Sequence, residues 1–228
     1  MNELLFILYI LTVSVANIIA LRLGKEALVG LVCIQAILVN LFVTKQITLL
    51  GLTATASDSL AVGITLSLNL LQEYYTKEAA KRTLYISFLG CLFYVCTAYL
   101  TIAYTPALTD TMSPHLCIML LPAPRLIAAS LATYGIVLSL DLLLYGLLKN
   151  YFHNNFFMLR NYCTLLITQL IDTVLFTFLG LYGINESFSS LETVTPIIIT
   201  SYSIKLMVIA LTVPFITLTR TFNRHSHS

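Results

Sequence analysis

The sequence predicts an all-α fold, a polytopic membrane bundle of about seven transmembrane helices with six as the alternative. Charged residues make up only 10% of the 228 residues and the mean hydropathy is +0.91, whereas roughly a quarter of the residues are charged in a soluble domain. The apolar residues are gathered into segments long enough to cross a hydrocarbon core of about 30 Å. No loop is long enough to bury a core of its own, so residues 1–228 are expected to form a single membrane domain.

Seven apolar segments follow one another along the chain. They cover residues 4–21, 27–44, 57–74, 83–104, 123–148, 160–182 and 194–218. Each approaches the roughly 20 mainly apolar residues that a spanning helix requires. The second segment is the shortest, and residues 51–56 after it indicate either a re-entrant segment or a break at the start of the third span.

The basic residues lie on alternate loops, as the positive-inside rule requires of a chain that crosses the membrane an odd number of times. One side holds nine of them: Arg22, Lys25, Lys77, Lys81, Arg82, Lys149, Arg160, Arg220 and Arg224. The loops of the opposite side hold only Lys45. The distribution therefore predicts seven crossings, with the N-terminus outside and the C-terminus in the cytoplasm.

Polar side chains inside the apolar segments are the main functional signal. A charge near the centre of a span costs at least about 2.5 kcal/mol on insertion scales, so such residues usually face the bundle interior and serve a function. The charged and amide residues concerned are Asn17, Asp58, Asn69, Gln72, Glu73, Arg125, Asp141, Gln169, Asp172 and Lys205. Helical spacing places Asn69 with Glu73, and Gln169 with Asp172, on shared helix faces. This pattern suggests a transporter for a small polar solute.

A structural role is the alternative for each of these residues. Amides and hydroxyls in spans often hold helices together, at about 0.6 kcal/mol each. Glu73 and Asp141 lie near span ends and could reach the interface. Asp172 lies midway along its span, which favours solute binding, although a structural pair with Lys205 or Arg125 is the competing interpretation.

Enzyme classes fit the sequence poorly, and we expect no catalytic residue, metal or cofactor. The four histidines fall in loops and in the tail, so no span supplies a Ser/His pair or a histidine metal site. The chain has no nucleotide-binding loop, which excludes direct use of ATP. The net charge of +2 gives no reason to expect nucleic acid as a partner.

Five segments, in chain order, carry a resemblance to a known family. They are residues 43–55, residues 72–82, Arg125 with Ser130, Tyr134 and Asp141, residues 168–176, and Tyr202 with Lys205. These segments resemble the queuosine precursor transporters, also called the vitamin uptake transporter family, whose patterns include SQ-x-x-DT-x-x-F and Y-x-x-K. Three positions depart from the family: Asn69 replaces a usual aspartate, Thr76 a usual glycine, and Asp58 a common asparagine.

The resemblance implies uptake of a queuosine precursor for tRNA modification across a bacterial plasma (inner) membrane. The precursor is a 7-deazaguanine base: queuine, or 7-aminomethyl- or 7-cyano-7-deazaguanine. The alternative is a membrane subunit that binds another small polar vitamin or nucleobase and works with a separate energising module. The expected partners are the solute and the lipid bilayer. A homodimer, an energising partner and the form of energy coupling are all left open.

A guanine-like edge presents two adjacent N–H donors to a carboxylate, and a carbonyl oxygen to a cation or an amide. The residues predicted to bind the substrate are Asp172, Gln169, Glu73, Asn69, Gln72, Arg125, Lys205, Tyr134 and Phe176. In this hypothesis Asp172 or Glu73 accepts from the donor edge. The amides and one cation complete the polar rim, and Tyr134 or Phe176 stacks on the base.

Overall fold

The computed structural model of the chain describes residues 2–42, 45–120, 124–153, 155–183 and 190–223. Its helices are α1 (Asn2–Leu23), α2 (Lys25–Phe42), α3 (Asp58–Tyr74), α4 (Lys77–Ala103), α5 (Ser113–Leu120), α6 (Pro124–Tyr151), α7 (Phe157–Phe176) and α8 (Leu191–Asn223). A π-helical turn, Thr177–Leu181, continues α7. Two strands, β1 (Gln46–Leu49) and β2 (Leu52–Thr55), form an antiparallel hairpin between α2 and α3.

The predicted all-α membrane bundle is confirmed. Within the described part of the chain, six helices are long and apolar enough to cross a membrane, namely α1, α2, α4, α6, α7 and α8. The seventh predicted span is α3, which has 17 residues and is therefore only about 26 Å long. It contacts each of the other six, and 14 of its residues are buried. A helix enclosed by protein in this way need not match the thickness of the lipid core.

Close contact between α3 and its neighbours depends on a small residue and on polar pairs. A Cβ atom at Gly63 would lie 2.5 Å from Val13 Cγ1 of α1, so only glycine allows this approach. One turn later Ser67 Oγ donates a hydrogen bond to Asn17 Oδ1. Both residues are completely buried, so this hydroxyl–amide pair holds α1 against α3, as expected of small and polar residues between membrane helices.

The hairpin replaces the irregular segment expected at residues 51–56. Leu50 and Gly51 have φ angles of 50° and 79°, the left-handed pair that a two-residue type I′ turn requires. The register pairs Leu49 with Leu52 and Gln46 with Thr55. Cross-strand pairing satisfies backbone groups that an irregular segment would leave open, which matters wherever water is scarce.

Contacts at the helix ends show that the bundle has two distinct ends. Asn2 Nδ2 donates to the Thr48 carbonyl at 3.0 Å, so the start of α1 and the hairpin lie together at what we call the hairpin end. At the opposite end, Lys149 Nζ donates to the Gln72 carbonyl at 3.0 Å. We call this end, where Lys149 lies, the basic end. Because α3 runs from one end to the other, it crosses the bundle like the six longer helices. The positive-inside prediction places the basic end in the cytoplasm.

Candidate functional site

A cavity of about 580 Å³ lies between α3, α6, α7 and α8, and the hairpin contributes to its wall. This volume falls in the range of small-molecule sites, roughly 300–1,000 Å³. Its described lining contains two carboxylates and one cation: Asp58, Asp172 and Lys205. The hydroxyl and amide lining comprises Thr55, Ser57, Thr65, Ser130, Thr133, Tyr134, Gln169, Thr173, Thr177, Thr200 and Ser201. The cavity is therefore suited to a polar solute of small-molecule size.

An ion pair between α7 and α8 lies in the cavity wall. Lys205 Nζ donates to Asp172 Oδ2. The lysine side chain is 6% exposed, whereas the Asp172 side chain is 26% exposed. The cation is thus enclosed and the carboxylate remains partly accessible. Solute binding and structural pairing, which the sequence presented as alternatives for Asp172, are therefore compatible in one side chain.

Asp58 brings a second carboxylate to the cavity from the first turn of α3. It is 6% exposed, and its Oδ2 accepts a hydrogen bond from the Thr55 backbone N–H at 3.3 Å. The partial positive charge at the start of a helix also favours a carboxylate there. From the sequence, Asp58 was expected as a charge within a span, but it was not among the predicted binding residues. The sequence signal that could have indicated a binding role is the position of Asp58 just after residues 51–56, where a break in the spanning helices was expected.

Gln169 supplies an unoccupied acceptor to the cavity. The residue is 2% exposed, and its Oε1 has no hydrogen-bond partner in the part of the chain that the structure describes. A buried amide oxygen without a donor costs free energy, so a ligand N–H placed there would be favoured. Gln169 lies three residues before Asp172 on α7, and both line the cavity.

The two aromatic residues predicted to stack on a base, Tyr134 and Phe176, also line the cavity. The Tyr134 hydroxyl donates to Ser87 Oγ at 2.8 Å, which anchors the ring to α4. Five of the nine predicted binding residues therefore meet at one cavity: Asp172, Gln169, Lys205, Tyr134 and Phe176. The side chain of a sixth, Arg125, lies outside the described residues.

Glu73, by contrast, belongs to an ionic cluster at the basic end. Its Oε1 accepts from Arg160 at 2.9 Å, and its Oε2 lies 3.4 Å from Lys149 Nζ. Tyr145 donates its hydroxyl to the same Oε2 at 3.1 Å, and the Arg160 guanidinium lies 5.4 Å from the centre of the Tyr145 ring. We call these four residues the Glu73 cluster. It joins the last turn of α3 to α6 and α7.

The other two predicted binding residues of α3 lie between the cavity and this cluster. Asn69 Nδ2 donates to Asn161 Oδ1 at 3.2 Å, and Gln72 Nε2 lies 3.4 Å from the Leu142 carbonyl. Neither residue lines the cavity, and Glu73 does not line it either. The reason is the helix rise of 1.5 Å per residue, which places Asn69 about 16 Å and Glu73 about 22 Å along α3 from Asp58.

A helical membrane bundle with a ligand-sized cavity, whose largely apolar wall carries a few charged and polar side chains, is an arrangement expected of a small-solute transporter. Residues 55–219 match the family described as "Putative vitamin uptake transporter". Because the match covers most of the chain, the protein belongs to the vitamin uptake transporter family, as its motifs indicated. It is accordingly a multi-pass membrane protein of a transporter family.

Among curated proteins, the "Probable queuosine precursor transporter" of Bacillus subtilis (strain 168) is 26% identical to the chain over 193 residues. The alignment covers 84% of this chain and 82% of that protein. The similarity thus extends over most of both proteins and is not confined to one segment. No solved structure gives a significant match to the chain.

Proposed function

We propose that this protein imports a queuosine precursor, a 7-deazaguanine base, across the bacterial plasma membrane for tRNA modification. The observation that carries the proposal is the partly exposed Asp172 carboxylate, held by Lys205 in the wall of a ligand-sized cavity. The name of the Bacillus subtilis relative supports the same substrate class. We further propose that the cavity residues, not the Glu73 cluster, contact the base.

The donor edge of the base explains why a carboxylate is needed. In a 7-deazaguanine, the ring N–H and the exocyclic amine point the same way, and an ionised carboxylate accepts two such donors. Lys205 fixes the position of the Asp172 carboxylate before the solute arrives, which reduces the ordering cost of binding. The Gln169 oxygen offers a further acceptor at the same wall.

The charge balance of the cavity favours an amine-bearing base. Asp58, Asp172 and Lys205 give the described lining a formal charge of −1 (two negative, one positive). An amine carried on the 7-position is protonated at neutral pH and gains from a second carboxylate, a role we assign to Asp58. We therefore expect 7-aminomethyl-7-deazaguanine or queuine to bind more tightly than the neutral 7-cyano base.

Exclusion of adenine-like solutes follows from the same groups. Adenine presents a ring acceptor where guanine presents a ring N–H, so the Asp172 carboxylate would face a lone pair and lose a donor. Sites that hydrogen-bond one pattern reject the other strongly, because buried polar groups are left unpaired. Guanine-type bases should therefore compete for uptake, and adenine should not.

The test is uptake of radiolabelled 7-aminomethyl-7-deazaguanine in cells that lack their own importer, with tRNA queuosine content as a second readout. Asp172→Asn should reduce initial uptake roughly 10- to 100-fold, since a hydrogen bond to a charged group contributes about 1.5–3 kcal/mol. Full uptake by Asp172→Asn at equal protein level would remove Asp172 from the site. Uptake that required a second host protein would favour the alternative of a binding subunit with an energising module.

Asp110→Asn provides a matched control, because it makes the same chemical change in an exposed loop between α4 and α5. The Ser113 hydroxyl and the Met112 N–H hold the pKa of Asp110 below its ordinary value, so this carboxylate is also ionised at neutral pH. It does not line the cavity. Asp110→Asn should transport like the wild type, and a matching loss in both variants would indicate a general effect of charge on membrane insertion.

A further inference from the structure

Asp141 in α6 is a carboxylate with almost no hydrogen bonding. It is completely buried, with 0% exposure. Its Oδ2 has no hydrogen-bond partner among the described residues, and its Oδ1 lies 3.5 Å from Thr168 Oγ1, the limit for a hydrogen bond. The same Thr168 hydroxyl lies 2.9 Å from the Thr164 carbonyl. A hydroxyl has a single hydrogen, so the closer carbonyl is its preferred acceptor.

The other carboxylates inside the bundle are all supplied with donors. Asp58 accepts from a backbone N–H, Glu73 pairs with two cations, and Asp172 pairs with Lys205. An ionised carboxylate without such partners is very costly to bury, whereas a protonated one is a neutral group that can also donate. Among the described acidic residues of the bundle interior, Asp141 is therefore the one whose surroundings best favour the protonated form.

The charged groups of the elements packed around Asp141 are already engaged or lie at the ends of the bundle. α6 contacts α3, α4, α7 and the π-helical turn. The described charged residues on these elements and on α6 itself are Asp58, Glu73, Lys77, Glu78, Lys81, Arg82, Lys149, Arg160 and Asp172. Arg160 and Lys149 pair with Glu73, and the basic residues of α4 belong to its first two turns. None of these groups is placed to neutralise Asp141 in the described structure.

Asp141 also lies directly beside the solute cavity. Val137 and Leu138, one helical turn earlier on α6, line the cavity, and so does Gln169, the neighbour of Thr168. On the other side, Gln72 approaches the carbonyl of the next residue, Leu142. Asp141 therefore lies between the cavity and the Glu73 cluster, at the level of Thr168 and Gln72, and we call this level of the bundle the polar layer. A proton bound there changes the electrostatic potential both in the cavity and at the Glu73 cluster.

We propose that Asp141 is the proton-binding site that couples solute uptake to the proton gradient. The O–H bond forms with a proton that enters from the hairpin end, which neutralises the carboxylate and allows it to be buried. The bond breaks when the polar layer opens to the basic end, and the proton leaves there, so one proton enters for each solute. The proposal rests on the transport function but not on which base is carried.

Purified full-length protein in liposomes tests this coupling, with the membrane potential clamped by potassium and valinomycin. A gradient of one pH unit, alkaline inside, corresponds to about tenfold accumulation per proton. The wild type should approach that ratio for 7-aminomethyl-7-deazaguanine and should carry protons inward, seen with an internal pH dye. Asp141→Asn, which mimics the protonated form, should retain counterflow exchange but equilibrate without accumulating, while Asp110→Asn should accumulate normally.

Gradient-driven accumulation by Asp141→Asn, or none by an actively exchanging wild type, would overturn the assignment. If Asp141→Asn does not fold, labelling of the wild type decides, because dicyclohexylcarbodiimide reacts with protonated carboxyls in apolar surroundings. Asp141 should be the modified residue by peptide mass spectrometry, and an unmodified Asp141 would refute the proposal. Failure of the proposed substrate would look different: no 7-deazaguanine base would exchange at all, even without a gradient.

Discussion

The Glu73 cluster allows the sharpest comparison between a structural and a substrate-binding role. Glu73→Gln keeps the shape and an acceptor but removes the charge that holds Arg160, a residue with 0% exposure. Removing one partner of a buried ion pair typically costs about 3–5 kcal/mol. Lys149 is 24% exposed, so loss of its contact with Glu73 should cost only about 0–1 kcal/mol, as for a partly exposed ion pair. Since glutamine retains one hydrogen bond, we expect a total near 3 kcal/mol, the lower end of the buried range.

The loss should be visible as a lower melting temperature in detergent. For a chain of this size, about 3 kcal/mol corresponds to a decrease of roughly 6–12 °C. The chain contains no tryptophan, so unfolding is best followed by far-ultraviolet circular dichroism. Glu78→Gln is the matched control, because Glu78 is exposed in the first turn of α4 and surface changes usually stay within about 0.5 kcal/mol.

The opposite pattern would refute this reasoning. If Glu73→Gln melted like the wild type but lost affinity for the 7-deazaguanine base, Glu73 would be a substrate ligand, as the sequence spacing suggested. If it melted early and still bound the base with normal affinity, the carboxylate would serve to hold α3 to α6 and α7. Binding is measured on the folded fraction at a temperature well below both melting points.

Two further predictions use the same melting assay. Gly63→Ala should destabilise by about 1–3 kcal/mol through overpacking, because the new Cβ would lie 2.5 Å from Val13 Cγ1. Gly90→Ala in α4, where no atom lies within 4 Å, should instead stabilise by up to about 1 kcal/mol, and equal effects would contradict the close approach of α1. Asp172→Asn should destabilise by about 3 kcal/mol, because it leaves the enclosed Lys205 cation without its partner. Lys205→Met should destabilise less, because the Asp172 carboxylate that it leaves is 26% exposed. The double variant should lose clearly less than their sum, and additivity would mean that the ion pair contributes nothing.

Several site residues were predictable because they share one short stretch of a helix. Gln169 and Asp172 are three residues apart, and a helical repeat places them on one face whatever surrounds them. Phe176 continues that face by one more turn. Helical spacing was not sufficient for α3. It gives the direction in which Asn69 and Glu73 point, but it does not give the level along the helix axis at which a ligand binds.

The hairpin shows a different limit of sequence reasoning. Residues 46–55 are mostly apolar and uncharged, so hydropathy does not distinguish a short pair of strands from the edge of a spanning helix. The distinguishing signal was local, since Leu50-Gly51 is followed by a run with threonine at alternate positions. Glycine in a turn position is expected of a tight hairpin, but Leu50 is an unusual residue for its positive φ angle of 50°.

Hydropathy and charge were enough to establish a polytopic helical bundle, because the cost of burying charges and backbone groups in lipid acts on every residue separately. The family, too, could be recognised from motifs along the chain. The partners of the buried charges were decided only when seven helices packed together. Lys205 pairs with Asp172 and Arg160 pairs with Glu73, whereas Asp141 pairs with neither of these two cations in the described structure. The sequence could not show this, because an ion pair depends on distances between helices that are far apart in the chain.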